Sequence, residues 1–318
     1  MNIGKTISSL RAVADDQRRR DAIPVGRTGE CAVISVIIPA FNERDAIHDT
    51  VVAARSTLET AGLFGGEIVV VDDGSSDDTG TIAAAAGARV LRNLENIGYG
   101  FSLKRGIAAA ANDTIVITDA DGTYPIDRIP DLLARYGEGW DMVVGARTGD
   151  HYRESAIKAP LRAALKRLVE FTAGRVIPDP NSGLRVFSRD AIKPFFPHLS
   201  DSFSFTTSST LAYMLKKKTV LYVDIDYRRR IGKTKVRLIR DSLRTTQYII
   251  SAIAYYNPLK LFIIMSSFLG IFGVLSLAAG LFLNGAGIGA GVTALSASAV
   301  VFALGLLAEQ INQVSLKE

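Results

Sequence analysis

The chain has 318 residues, a formal net charge of +5 and a single cysteine, Cys31. That length suits one α/β domain of ordinary size with an appendage. The mild basic excess does not point to nucleic acid, and a lone cysteine excludes an internal disulfide, which fits a reducing compartment.

The amino-terminal stretch MNIGKTISSLRAVADDQRRRD has no apolar core of a signal peptide. Ile3, Ile7, Leu10 and Ala14 fall at helical spacing, so residues 1–32 form either a solvated basic tail or a short amphipathic helix resting on a membrane. Next, AVISVII (32–38) predicts a fully apolar strand and Arg44 to Ala61 a helix. EIVVV (67–71) predicts a second strand, followed by an alanine-rich helix through Ala86. ARVLR (88–92) predicts a short third strand, Phe101 to Ala111 a helix, TIVIT (114–118) a fourth strand and DMVVGA (141–146) a fifth. Ser155 to Gly174 has the pattern of a long basic helix. Strands apolar on both faces that alternate with helices predict a mainly parallel, Rossmann-like sheet covered on both sides. Such sheets bind ligands at the carboxyl ends of their strands.

Polar and acidic residues gather at those ends: PAFNE after the first strand, DDGSSDD after the second, DADG after the fourth and GAR after the fifth. The G-x-G-x-x-G of a dinucleotide-binding domain is absent after the first strand. In DADG, Asp119 and Asp121 flank Ala120 and project to the same side of an extended segment. Two aspartates at this spacing, with neither histidine nor thiolate nearby, suit a hard divalent cation such as Mg²⁺ or Mn²⁺, which keeps positions open for substrate phosphates. An isolated D-x-D is otherwise a helix cap; the acidic neighbours on the same edge favour the metal.

Beyond the sheet, Val236 to Asn257 places Val236, Ile239, Leu243, Ile250 and Ile253 opposite Arg237, Arg240, Asp241 and Arg244, the pattern of an amphipathic helix at a membrane interface. From Leu261 to Ala308 no side chain is charged, and the stretch breaks at the glycine-rich NGAGIGAG (284–291). Each half is close to the ~20 residues needed to cross a bilayer, which predicts a transmembrane hairpin. Lysines and arginines precede the first half and Lys317 follows the second, so the positive-inside rule places both ends and the whole soluble domain in the cytoplasm of a multi-pass inner-membrane protein. Gly270, Gly273, Ser276, Ala279 and Gly280 permit close helix packing, which would allow a homo-oligomer. The expected domains are therefore a tail (1–32), a catalytic domain (33–235), an interfacial helix (236–258) and a hairpin (259–318).

PAFNE, VVDDGSSDDT, NIGYG, DADGTYP, VVGAR and DPNSGLRVF, in this order, resemble the family 2 glycosyltransferases of the GT-A fold. GLRVF followed by RRRIGKTKV and a hairpin resembles, more narrowly, the polyprenyl-phosphate sugar synthases of the dolichol-phosphate mannose synthase group. The resemblance implies inverting transfer of a sugar from a GDP- or UDP-sugar to dolichyl or undecaprenyl phosphate. It implies that Pro39, Phe41, Glu43, Asp72 and Asp73 line the nucleotide, that Asp119, Ala120 and Asp121 carry the metal and diphosphate, and that Arg229 and Lys235 close over the diphosphate. Arg147, Arg162 and Lys166 form a basic acceptor side suited to a phosphate headgroup. The family often has glutamine where Thr123 stands, and FSFTTSSTL (203–211) lacks the acid that many relatives carry, which favours an acceptor that is already anionic. A family 2 enzyme with another acceptor and a non-catalytic nucleotide-sugar-binding membrane protein are the alternatives.

Overall fold

The computed structural model describes residues 33–149, 159–230, 246–251, 253–255, 257–282 and 287–315. The amino-terminal tail, Lys235 and the first part of the expected interfacial helix lie outside the described residues. The chain forms two compact units that divide between Thr245 and Thr246.

The first unit is built on a seven-stranded sheet. Its first half runs β1 (Ile34–Ala40), α1 (Ile47–Thr60), β2 (Glu67–Asp72), α2 (Thr79–Ala85), β3 (Arg89–Arg92), α3 (Tyr99–Ala109) and β4 (Thr114–Ile117). β1, β2 and β4 are buried on both faces, whereas the edge strand β3 is partly exposed. Val36, Ile38, Val70 and Val116 pack on one side with Ile47 and Val51 of α1. On the other side α3 lies close, because Gly106 offers no Cβ: one placed there would stand 2.5 Å from a methyl carbon of Ile37. Each buried valine or isoleucine contributes on the order of 1.5–3 kcal/mol, so sheet and helices stabilise one another. β1 extends to Pro39 and Ala40, past the predicted end, because both continue the parallel register opposite Val71 and Asp72.

The second half contains α4 (Ile129–Gly137), β5 (Met142–Thr148), α5 (Ala159–Ala173), β6 (Arg185–Ser188), α6 (Phe205–Leu215) and β7 (Val220–Asp226). The strand order is β3-β2-β1-β4-β6-β5-β7. β6 runs antiparallel to both β4 and β5, while the other pairings are parallel, so the sheet is mainly parallel as expected. The order reverses direction between β1 and β4, the switch point where open α/β sheets bind ligands.

The second unit contains a few helical turns within 246–255 and two long apolar helices, α7 (Pro258–Phe282) and α8 (Ile288–Ser315). Of the expected apolar face, Ile253 is buried but Ile250 is exposed, and Ile249, outside that expected set, is buried instead. The long helices have mean hydropathy 2.3 and 2.0, yet only 11% and 17% of their most apolar windows are buried, the opposite of a soluble core helix. They pack on each other through small residues. The Ser298 hydroxyl donates to the Ser266 carbonyl at 2.7 Å and the Ser276 hydroxyl to the Gly287 carbonyl at 3.0 Å. A Cβ at Gly273 would lie 3.1 Å from the Gly291 carbonyl oxygen. Gly270, Gly273 and Ser276, which the sequence offered for association between chains, thus serve packing within one chain.

Candidate active site

Three loops meet at the switch point. After β1, Asn42 turns the chain with φ +51°, a left-handed conformation that asparagine tolerates better than most residues. Its amide donates to Ser75 Oγ at 2.9 Å, and its side-chain oxygen accepts from the Ser76 amide at 2.8 Å. The next amide, of Glu43, donates to Thr79 Oγ1. The end of β1 is therefore tied to the loop after β2. In that loop Asp72 Oδ1 accepts from the Ser75 amide, which closes the turn. Asp73 accepts from Asn93 Nδ2, the Ile97 amide and the Gly98 amide. Both carboxylates lie beside the switch point, and both organise the surrounding backbone.

After β4 the paired aspartates follow. Ala120 is buried, and its carbonyl accepts from Thr50 Oγ1. Asp119 Oδ1 accepts from the Tyr99 hydroxyl at 2.8 Å. A Cβ at Gly183 would stand 2.8 Å from that oxygen, so only glycine leaves room for the carboxylate there. Burial and the neighbouring Asp121 carboxylate push the Asp119 pKa up to about 6, against the pull of Tyr99, Arg147 and Arg230. Asp121 Oδ1 accepts from the amide of Thr123 and, at 2.6 Å, from its hydroxyl. Thr123 therefore orients Asp121, in the place where relatives carry glutamine.

The opposite oxygen of Asp121 faces Arg230 Nη1 at 3.2 Å, and Arg230 Nη2 donates to Glu43 Oε1 at 2.9 Å. The arginine run after β7 contributes Arg230 to the carboxylates, whereas Arg229 is exposed. The chain before it is docked on the same loop: the Arg228 amide donates to the Thr123 carbonyl, and its guanidinium pairs with Asp127. The Tyr227 ring meets the Tyr124 ring edge-on at 5.4 Å.

At the end of β5, Arg147 grips Asp179 with Nε to Oδ2 at 2.7 Å and Nη2 to Oδ1 at 2.9 Å, and its ring partner is Tyr227. This fork, with the Arg147 and Asn181 amides, holds the Asp179 carboxyl below its usual range against the opposing effect of burial. Lys166 donates to the Pro178 carbonyl at 3.3 Å. Arg147 and Lys166 thus converge on one loop, 178–182; the Arg162 side chain lies outside the described residues. That loop rests on Arg185, which is fully buried and donates to the carbonyls of Ser182 and Pro180, to Thr210 Oγ1 and to Ser209 Oγ. The serines and threonines of α6 are therefore a polar socket for a guanidinium, and Thr207 also bonds to Asn181.

Sequence reasoning brought out Glu43, Asp119, Asp121, Arg147 and Lys166. It missed Tyr99, Asp179, Arg185 and Arg230. Tyr99 sits inside the quoted motif NIGYG, Asp179 and Arg185 inside DPNSGLRVF, and Arg230 inside RRRIGKTKV, which was the available signal.

The fold and its paired carboxylates define a glycosyltransferase of the GT-A type. The Glycosyl transferase family 2 profile matches residues 35–196, and that of the GtrB C-terminal hairpin matches residues 257–314. The chain belongs to glycosyl transferase family 2, with an apolar hairpin of the GtrB type at its carboxyl side. It is 28% identical over 247 residues to the undecaprenyl-phosphate 4-deoxy-4-formamido-L-arabinose transferase of Klebsiella pneumoniae, covering 76% of this chain and 73% of that one. It is 29% identical over 208 residues to the dolichyl-phosphate hexose transferase of Haloferax volcanii, covering 64% and 86%. Glucosyl-3-phosphoglycerate synthase from Mycobacterium tuberculosis, solved with Mn²⁺, UDP and glucosyl-3-phosphoglycerate, has the same fold, with a TM-score of 0.55 and 25% identity over 70% of this chain and 80% of that one.

Proposed function

We propose that this protein transfers a sugar, with inversion, from a nucleoside-diphosphate sugar to the phosphate of a polyprenyl lipid at the cytoplasmic face of a membrane. The observation that carries the reading is the placement of Asp119 and Asp121 at the β1/β4 switch point, next to a loop gathered by Arg147 and Lys166. Relatives with 28% and 29% identity are named for undecaprenyl and dolichyl phosphate, and two helices long and apolar enough to cross a bilayer suit an acceptor that resides there.

Asp119 and Asp121 fit Mg²⁺ or Mn²⁺. They present hard oxygens, and the Asp119 pKa is raised first by burial and then by the neighbouring Asp121 carboxylate, both of which a bound cation would offset. Among the described residues no group of three histidines, cysteines or carboxylates forms a metal cage by itself, so the donor diphosphate would complete the coordination. When bound, the ion would neutralise charge that develops on the leaving diphosphate.

The chain's own residues do the rest. Tyr99 and Thr123 fix the two carboxylates, and Glu43 borders them from the end of β1. Arg147 and Lys166 hold the border of the acceptor side. An oxygen of the lipid phosphate forms the new bond to the anomeric carbon as the bond from that carbon to the diphosphate breaks and the nucleoside diphosphate leaves. A phosphate monoester has a second pKa of ~6 and attacks without a base. This suits a site whose buried Asp179 is committed to Arg147 and whose 203–211 segment carries hydroxyls only.

The test is to incubate the full-length protein with a panel of nucleotide sugars and a short polyprenyl phosphate, and to read products by mass. One nucleotide sugar should yield a glycosyl phosphate lipid. Asp121→Asn and excess chelator should each reduce the rate by at least about a hundredfold, the scale of losing one electrostatic contact to the transition state. Full activity in chelator would defeat the metal assignment, and absence of any lipid product would defeat the acceptor.

A further inference from the structure

The guanidinium of Arg230 lies where the two acidic loops of the site face each other. Nη1 stands 3.2 Å from Asp121 Oδ2 and Nη2 stands 2.9 Å from Glu43 Oε1. These side chains are largely withdrawn from solvent, with 29%, 7% and 11% exposure for Arg230, Asp121 and Glu43. The Nε of Arg230 is buried and has no hydrogen-bond partner among the described residues. An arginine placed for structure alone would use that donor, since a buried unpaired N–H is unfavourable. Here the buried Nε–H is left over, in a site whose proposed substrate brings an anionic diphosphate.

We propose that Arg230 is an internal cation that competes with the divalent metal for Asp121. In the ligand-free protein it neutralises Asp121 and Glu43. The metal displaces it, and the freed fork, Nε included, turns to the donor diphosphate. The inference rests on the metal reading above and adds to it an order of events. Metal alone binds weakly, because it must break an existing ion pair. Metal and nucleotide bind cooperatively, because the diphosphate gives the displaced guanidinium a new partner, and linkage makes the effect reciprocal. The backbone that presents Arg230 need not move. It is fixed to the aspartate loop by the Arg228 amide on the Thr123 carbonyl, by the Arg228–Asp127 pair and by Tyr227 on Tyr124. The exchange is one of side-chain rotamer.

The experiment is a Mn²⁺ titration of the full-length detergent-solubilised protein, read by the electron paramagnetic resonance signal of free Mn²⁺. It is performed without and with a nucleoside diphosphate. In the absence of nucleotide, Arg230→Gln should bind Mn²⁺ about tenfold more tightly than the wild type, the effect of removing one cation at ion-pair distance. The affinity gain that nucleotide confers on the wild type should shrink in this variant. Arg230→Lys keeps the charge and should stay close to the wild type. Equal or weaker Mn²⁺ binding by Arg230→Gln overturns the competition, as does a gain in Arg230→Lys as large as in Arg230→Gln, which would reflect loosening rather than charge. Mn²⁺ binding that Asp121→Asn leaves unchanged overturns the metal reading itself, and with it this proposal, so the two failures are told apart.

Discussion

Asp179 illustrates what one buried carboxylate does in this site. It is 2% exposed and meets the guanidinium and amide of Arg147, so it serves as the counter-ion of that arginine. Removing one partner of a buried pair leaves a charge without compensation, which costs about 3–5 kcal/mol. Asp179→Asn should therefore lower the unfolding temperature markedly at neutral pH, while Arg147→Met combined with Asp179→Leu should recover most of the loss. The pH dependence has a definite sign. The native carboxyl titrates below its ordinary 3.8, so its stabilisation is fully present above 3.8 and disappears as pH falls through the lower native value. The gap between wild type and Asp179→Asn, followed by thermal unfolding, should thus close only under strongly acidic conditions. At this scale the sequence was partly legible. A D-x-D after an apolar run announces itself, because strand geometry fixes where i and i+2 point. RRR after β7 does not, since irregular backbone has no period, and nothing in three equal residues tells that Arg230 rather than Arg229 turns inward.

Among elements, those with a clean physical signature were read correctly. β1, β2 and β4 are apolar on both faces, and the alternation with helices implied a parallel sheet. β6 escaped because it opens with Arg185, a charge that burial normally forbids and that only the hydroxyls of α6 and the 180–182 carbonyls make tolerable. α6 escaped for the complementary reason: its polar residues are buried, so it lacks an amphipathic stripe. The two long helices carry a quantitative test of their packing. A Cβ at Gly270 would lie 4.0 Å from that of Ser298, within the range that a disulfide spans. Gly270→Cys with Ser298→Cys, in a Cys31→Ser background, should form an intramolecular bridge under mild oxidation, visible as a thiol-sensitive shift in gel mobility at the monomer position. Bridged dimers instead would mean that these small residues face another chain.

For the whole molecule, the charge pattern predicts that an epitope inserted at 284–286 is labelled by impermeant reagents from outside intact cells, while epitopes at either end are not. Labelling in the reverse sense would move the site to the other side of the membrane, away from cytoplasmic nucleotide sugars. The strand order has a separate consequence, for synthesis. β1 to β4 are contiguous in the chain and adjacent in the sheet, so a nascent chain that has emerged to about Tyr124 already holds every partner of its four parallel strands except one edge. β5 has no neighbour when it first emerges, because β6, which separates it from β4, is made some forty residues later, a delay of seconds at ~5–20 residues per second. Glu43, Asp119 and Asp121 thus take their places first, and Arg147, Asp179 and Arg230 are added to them. The ribosome therefore delivers an acidic half-site before the basic half that neutralises it.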